Sequence, residues 1–315
     1  MTVRRLVFAG EALVDVVLRV PALPERGGDV FATASEVTVG GGFNVMAAAA
    51  RQGLPVLYAG GHGTGPWGDL VRAALTAEGI TILRPADPDR DTGFDVALVE
   101  PDGERTFATH LGAETLGRPD DLPAGAGDMV YISGYGLAAG GGRRGEDFGG
   151  QSFGTPPRIS PALPASQLFI DPGPLVAEIP KELLDYVLGR CDWLSCNQRE
   201  AALLTGSDDP AESAHLLLAG TARASIIVRT GASGCVLALR GEEPIHIPAP
   251  LVEVVDTTGA GDTHAGVFIA SLAAGLTPAQ AASRANAAAA FSVTRPGPAT
   301  APTRKELDAW LASHP

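Results

Sequence analysis

The chain of 315 residues has little that would fix it covalently. It holds 3 cysteines, Cys191, Cys196 and Cys235. They are too few and too irregularly spaced for a disulfide framework or a zinc site, a pattern that points to a reducing, cytoplasmic setting. Basic residues are scarce: 23 Lys and Arg against 36 Asp and Glu leave a net charge of −13. That balance argues against a nucleic-acid partner and against an anionic membrane surface. It does not exclude phosphate ligands, because helix N-termini bind anions without basic side chains. No apolar run is long enough to span a bilayer, and residues 1–5 enter a strand without the anatomy of a signal peptide.

What the chain does have is alternation. Apolar runs at residues 6–10, 128–133, 167–171, 192–196 and 225–229 read as buried strands, and amphipathic or Ala-rich stretches between them read as helices. The expected fold is α/β: three layers, with a mostly parallel sheet flanked by helices. No linker or internal repeat divides residues 1–315. Residues 29–39, 94–99 and 104–109 differ from the core strands in their half-exposed alternation. The last two flank Pro101-Asp102-Gly103, a hairpin turn. They predict a small separate sheet.

The chemistry concentrates in Asp256-Thr257-Thr258-Gly259-Ala260-Gly261-Asp262. Residues 251–255 before it read as a strand, and the Ala-rich run after it reads as a buried helix stopped by Gly275. Strand, Gly-rich turn and helix make an anion site, because the first N–H groups of the helix lack intrahelical partners. Asp262 is placed to take a proton from a hydroxyl that attacks phosphorus. A plain connection with a capping Asp would need less than two Asp, two Thr and two Gly. Residues 134–140 offer a weak Rossmann-like glycine pattern, but residues 141–160 lack the helix a dinucleotide fold needs and read as a flexible loop. Arg143 and Arg144 read there as solvated.

The 256–262 segment resembles the second signature of the ribokinase-like (PfkB) carbohydrate kinases, Asp-Thr-x-Gly-Ala-Gly-Asp. Gly40-Gly41-Gly42-Phe43-Asn44 resembles their first, Gly-Gly-x-x-x-Asn before a helix. Counting back from Asn44, however, the family's two glycines fall on Val39 and Gly40. The resemblance spans residues 10–303 and implies an ATP-dependent kinase that phosphorylates a primary hydroxyl of ribose, fructose or a keto-deoxy sugar acid. It implies Asp262 as base, with the backbone of Gly259, Ala260 and Gly261 holding the transferred phosphoryl group. It implies Asp15, Gly40, Gly41, Asn44 and Gly134 on the sugar, and Asn197, Glu200, Thr230, Gly231, Gly234 and Asn286 around ATP. Glu200 would organise Mg²⁺ through water, and Asp256 would lie near a monovalent cation such as K⁺. Strands at about 16–39 and 92–110 would form a lid that also pairs two chains into a homodimer. Asn197 and Glu200 have, on spacing alone, the pattern of a helix capping box.

Three alternatives stand beside this one. A nucleoside kinase of the same fold would need an apolar slot, for which Phe31, Phe43 and Phe107 are candidates. A non-catalytic sugar-binding protein would not need Asp262. A nicotinamide oxidoreductase would rest on the turn at Gly134. His264 and Val267 stand where relatives usually carry Phe and Gly, and are expected to pack behind Asp262.

Overall fold

The continuous apolar runs become one twisted sheet. The computed structural model describes residues 3–116, 122, 124–140 and 166–314. Strands β1 (Arg5–Phe8), β4 (Val56–Tyr58), β5 (Thr81–Ile82), β8 (Asp128–Ser133), β9 (Gln167–Asp171), β10 (Trp193–Asn197), β11 (Ser225–Arg229), β12 (Cys235–Ala238) and β13 (Ile245–Ile247) lie in the order β13-β12-β11-β10-β9-β8-β1-β4-β5. The strands from β5 to β11 pair in parallel, and β12 and β13 add an antiparallel edge. Residues alternate between two cores. Leu6, Phe8, Met129 and Tyr131 point into one, and Val7, Val130 and Ile132 into the other. Helices α1 (Phe43–Arg51), α2 (Pro66–Ala77), α7 (Ala260–Ala273), α8 (Pro278–Ser292) and α9 (Arg304–Ser313) cover the first. Helices α3 (Gly134–Gly140), α4 (Lys181–Leu188), α5 (Gln198–Thr205) and α6 (Pro210–Gly220) cover the second. A parallel sheet needs both faces covered, so the apolar runs follow from the architecture.

A second sheet holds β2 (Ala12–Arg19), β3 (Ala34–Gly41), β6 (Phe94–Val99) and β7 (Arg105–His110), in the order β3-β2-β6-β7. Its register sets Asp15 opposite Thr38 and Asp95, and Asp95 opposite Thr109. Side chains two apart along a strand share a face, so Arg105 and Phe107 lie on the Asp15 side.

Asp15 sits inside strand β2, and residues 134–140 form helix α3. One local expectation changes. Residues 251–255 form no strand: Leu251, Val254 and Val255 are exposed, and the Val255 and Asp256 N–H groups both donate to the Val293 carbonyl instead of a sheet partner. The stretch at residues 141–160, with Arg143 and Arg144, lies outside the described residues.

Candidate active site

Helix α7 opens on Gly259, whose φ of 71° is left-handed and strained for any residue with a side chain. A Cβ there would also fall 2.2 Å from the Pro298 carbonyl oxygen. Glycine is therefore required by both conformation and space. No side chain caps this helix, so its first turn is open to an anion. The Ala260 N–H is an exception to the sequence expectation. It already donates to the Thr257 carbonyl at 3.2 Å, closing a turn, which leaves Gly261 and Asp262 to offer theirs.

Asp262 stands in the first turn of α7. Asn44, at the start of α1, donates from Nδ2 to Asp262 Oδ2 at 3.3 Å. The two helices approach closely because Gly266 has no side chain; a Cβ there would lie 2.5 Å from the Val45 carbonyl oxygen. Asn44 is buried, and its Oδ1 has no partner. Asp262 is half-buried. Burial by the surrounding protein, then the nearby Asp171 charge, raise its carboxyl to about 6, against the opposing pull of Asn44 and Arg229. A base of that pKa is ionised at neutral pH yet still basic enough to take a proton.

On one flank lie the acids of the small sheet. The Asp15 carboxylate lies over Gly40, where a Cβ would be 2.0 Å from Oδ2. Burial first, then the charges of Asp95 and Asp262, push Asp15 up to about 7 despite Arg105. Asp95 faces the same way; burial raises it to about 6, and its Oδ1 is buried without a partner. Sequence reading missed Asp95. The available signal was its offset of one residue from Phe94 in a strand pairing with β2, which needs the register to be known. Gly41 bends the chain into α1 with φ 60°, and Gly134 starts α3 against the Pro172 carbonyl.

On the other flank, the carboxyl ends of β9, β10 and β11 converge on Arg229, which sequence reading also missed. Its Nη1 donates to Asp171 Oδ2 at 2.7 Å and to Ser195 Oγ at 2.5 Å, and its Nη2 lies 3.7 Å from Glu200 Oε2. Asn197 and Glu200 form the full capping box of α5. The Asn197 N–H donates to Glu200 Oε2 at 2.8 Å, its Nδ2 to Oε1 at 2.7 Å, and the Glu200 N–H to Asn197 Oδ1 at 2.8 Å. The turn Thr230–Gly234 follows β11, with positive φ at Gly231 and Gly234, and Thr230 Oγ1 is buried without a partner. Asn286 is buried, and its Nδ2 donates to the Ile247 and Pro248 carbonyls. That amide nitrogen pins the end of β13 to α8, so it does not point freely toward a base. His264 is buried, stacks on Phe268, and neither ring nitrogen has a partner. Burial and then the Arg229 charge push it down to about 3, so it is a neutral packing group.

Two cations were expected. No group of three or more His, Cys, Asp or Glu side chains among the described residues is arranged to hold a metal. The Asn197 and Glu200 oxygens are engaged in the capping box and Glu200 is buried beside Arg229, so this pair would meet Mg²⁺ only through the ion's own waters. The monovalent site at Asp256 does not fit. Asp256 Oδ1 accepts from the Thr258 N–H at 2.9 Å, the Thr258 hydroxyl at 2.5 Å and Arg105 Nη2 at 2.5 Å. Its Oδ2 accepts from the Gly297 N–H at 3.2 Å. Burial works to raise Asp256, but these hydrogen bonds outweigh it and hold the carboxyl down at about 2.

A doubly covered α/β sheet with an open helix end beside a poised carboxylate is the apparatus of a phosphotransferase acting on an alcohol. The sequence model of the pfkB family carbohydrate kinases matches residues 3–143 and 166–305. An uncharacterised sugar kinase, YegV, of Escherichia coli is 34% identical over 330 residues, covering 98% of this chain and 94% of that protein. Ribokinase of Arabidopsis thaliana is 28% identical over 300 residues, covering 91% of this chain and 76% of that one. A solved structure of Arabidopsis thaliana ribokinase with ribose and ATP superposes with a TM-score of 0.78 at 23% identity, covering 98% of this chain and 99% of that chain. At that identity the superposition speaks for the fold. The chain belongs to the pfkB family and is a carbohydrate kinase.

Proposed function

We propose that the protein transfers the terminal phosphoryl group of ATP to the primary hydroxyl of a neutral polyhydroxylated sugar. The observation that carries this reading is Asp262, poised near neutrality at the uncapped start of α7 and aligned by Asn44. As the substrate oxygen bonds to phosphorus and the bond to the leaving ADP oxygen breaks, the hydroxyl proton passes to an Asp262 oxygen. The Gly261 and Asp262 N–H groups and the helix dipole stabilise the negative charge on the phosphoryl oxygens. The small sheet acts as a lid that excludes water. Bound Mg²⁺, held by Asn197 and Glu200 through its waters, would neutralise charge on the β- and γ-phosphates.

The substrate class follows from what faces the pocket. Asp15, Asp95 and the Asn44 Oδ1 are acceptors that lack donors, and sugar hydroxyls supply donors. Of the two arginines on that face, Arg105 is committed to Asp256 and Arg19 stands exposed at the end of β2. This arrangement disfavours a keto-deoxy sugar acid, whose carboxylate would meet like charge. The aromatic slot a nucleoside needs is reduced too, because Phe43 belongs to the core and Phe31 is 87% exposed, which leaves Phe107 of the three on the Asp15 face. Beyond Val16, which packs on the main core, the opposite face of the lid carries Leu18, Val37, Val96, Leu98 and Ala108, with Val37 51% exposed. That apolar face supports pairing of two chains through the lid; a monomer in sedimentation equilibrium would exclude it. The free, buried cysteines and the acidic charge support a cytoplasmic protein that avoids nucleic acids and membranes.

Coupled ADP release over neutral sugars, sugar acids and nucleosides with Mg·ATP tests the reading. Turnover should be confined to neutral sugars, and Asp262→Asn should lower kcat by about 10²–10⁴, the usual range for a general base. An Asp262→Asn protein with wild-type turnover sinks the assignment.

A further inference from the structure

The cation that the family resemblance places near Asp256 meets a group already in place. Arg105 reaches across from β7, 151 residues away in sequence. Its side chain is 25% exposed and that of Asp256 9%, so the pair is largely withdrawn from water. The same Asp256 oxygen also takes the Thr258 N–H and hydroxyl. Three donors on one carboxylate oxygen fill its accepting directions. A further cation on that oxygen would have to displace the guanidinium or share an anion with it.

Asp256 is also a junction. Through Thr258 it fixes the turn that sets Gly259 and the start of α7, and through Oδ2 it holds the Gly297 N–H. The backbone there is packed tightly, since the Pro298 carbonyl lies against Gly259. Arg105 ties this junction to the small sheet, on the face that carries Asp15 and Asp95. A charge that holds the loop is therefore delivered by the same strand layer that covers the substrate. A guanidinium suits this task because its fixed, planar donors give direction as well as charge.

We infer that Arg105 is a positioning residue that stands in for a monovalent cation, so that this kinase sets its phosphoryl-binding loop without K⁺ and does so only when the small sheet is docked. The inference rests on the reading of Asp262 and the α7 N-terminus as the phosphoryl-transfer site.

The test compares the wild-type protein with Arg105→Ala and Arg105→Lys, in KCl and in choline chloride at equal ionic strength. Thermal melting and turnover of the best sugar from the screen are both recorded. The wild type should melt and turn over alike in the two salts. Arg105→Ala should lose about 10²-fold in kcat, the scale of a misplaced reacting group, and K⁺ should restore part of that loss and raise its melting temperature. Arg105→Lys should keep part of the activity and stay insensitive to K⁺. A wild-type protein stabilised and activated by K⁺ overturns the inference while leaving the kinase reading intact. An Arg105→Ala protein that K⁺ neither rescues nor stabilises reduces Arg105 to a clamp and overturns it as well. If no sugar is turned over, the acceptor reading fails, and the melting comparison still decides the role of Arg105.

Discussion

The two flanks of Asp262 handle charge in opposite ways. On the side of β9 to β11, each charged group has a protein partner. Arg229 is bound by Asp171 and Ser195 and lies beside Glu200, and Glu200 is wrapped by the Asn197 amide. On the side of the small sheet, Asp15 and Asp95 face each other across β2 and β6, Asp95 Oδ1 and Asn44 Oδ1 lack partners, and both carboxyls are raised. Burying an unsatisfied acceptor costs stability. The flank proposed for the nucleotide thus pairs its charged groups before any ligand arrives, leaving the neutral Thr230 hydroxyl without a partner, and the flank proposed for the sugar is left short of donors that a polyol would bring.

A paired variant test breaks this comparison at both ends, because the two substitutions should shift stability in opposite directions. Arg229→Met leaves Asp171 and Glu200 buried without their cation and should destabilise by about 3–5 kcal/mol, the usual cost of breaking a buried ion pair from one side. Asp95→Asn should do the reverse above neutral pH. Asp95 is raised from 3.8 to about 6 in the folded state, so the folded protein holds its proton more tightly than the unfolded chain. Wild-type stability should therefore fall as pH rises through that interval, and the Asn variant should be spared the loss. Asp95 is partly open to solvent, so the gain should be modest, on the order of 1 kcal/mol at pH 8 after screening is allowed for, and should vanish near pH 4. Urea midpoints of the three proteins at both pH values measure this; equal shifts for the two variants would show the flanks to be alike.

The sequence shows some of this directly and hides the rest for identifiable reasons. The segment 256–262 and the alternation of apolar runs are local patterns, and they gave the fold class and the position of Asp262. Arg229 was hidden because its partners Asp171 and Ser195 are 58 and 34 residues away; only the parallel register brings three strand ends together. Asp95 was hidden for the same reason. The start of strand β2 is not legible, because the chain leaves one sheet after Phe8 and enters the other at Ala12. Residues 251–255 read as a strand on composition, but among the described residues no strand lies beside them to pair with. Asn197 and Glu200 were legible as a capping box because three-residue spacing is enough to define one.

Proton exchange on sugar binding tests the contrast most directly. Hydroxyl donors stabilise the ionised forms of Asp15 and Asp95 and bring their raised carboxyls back toward the ordinary value. Calorimetric titration near pH 6.5 with the best acceptor, in buffers of different ionisation enthalpy, should therefore record net proton release, and Asp95→Asn should release less. Binding that releases no protons, or takes them up, would contradict the claim that these carboxylates wait unpaired for the hydroxyls of the sugar.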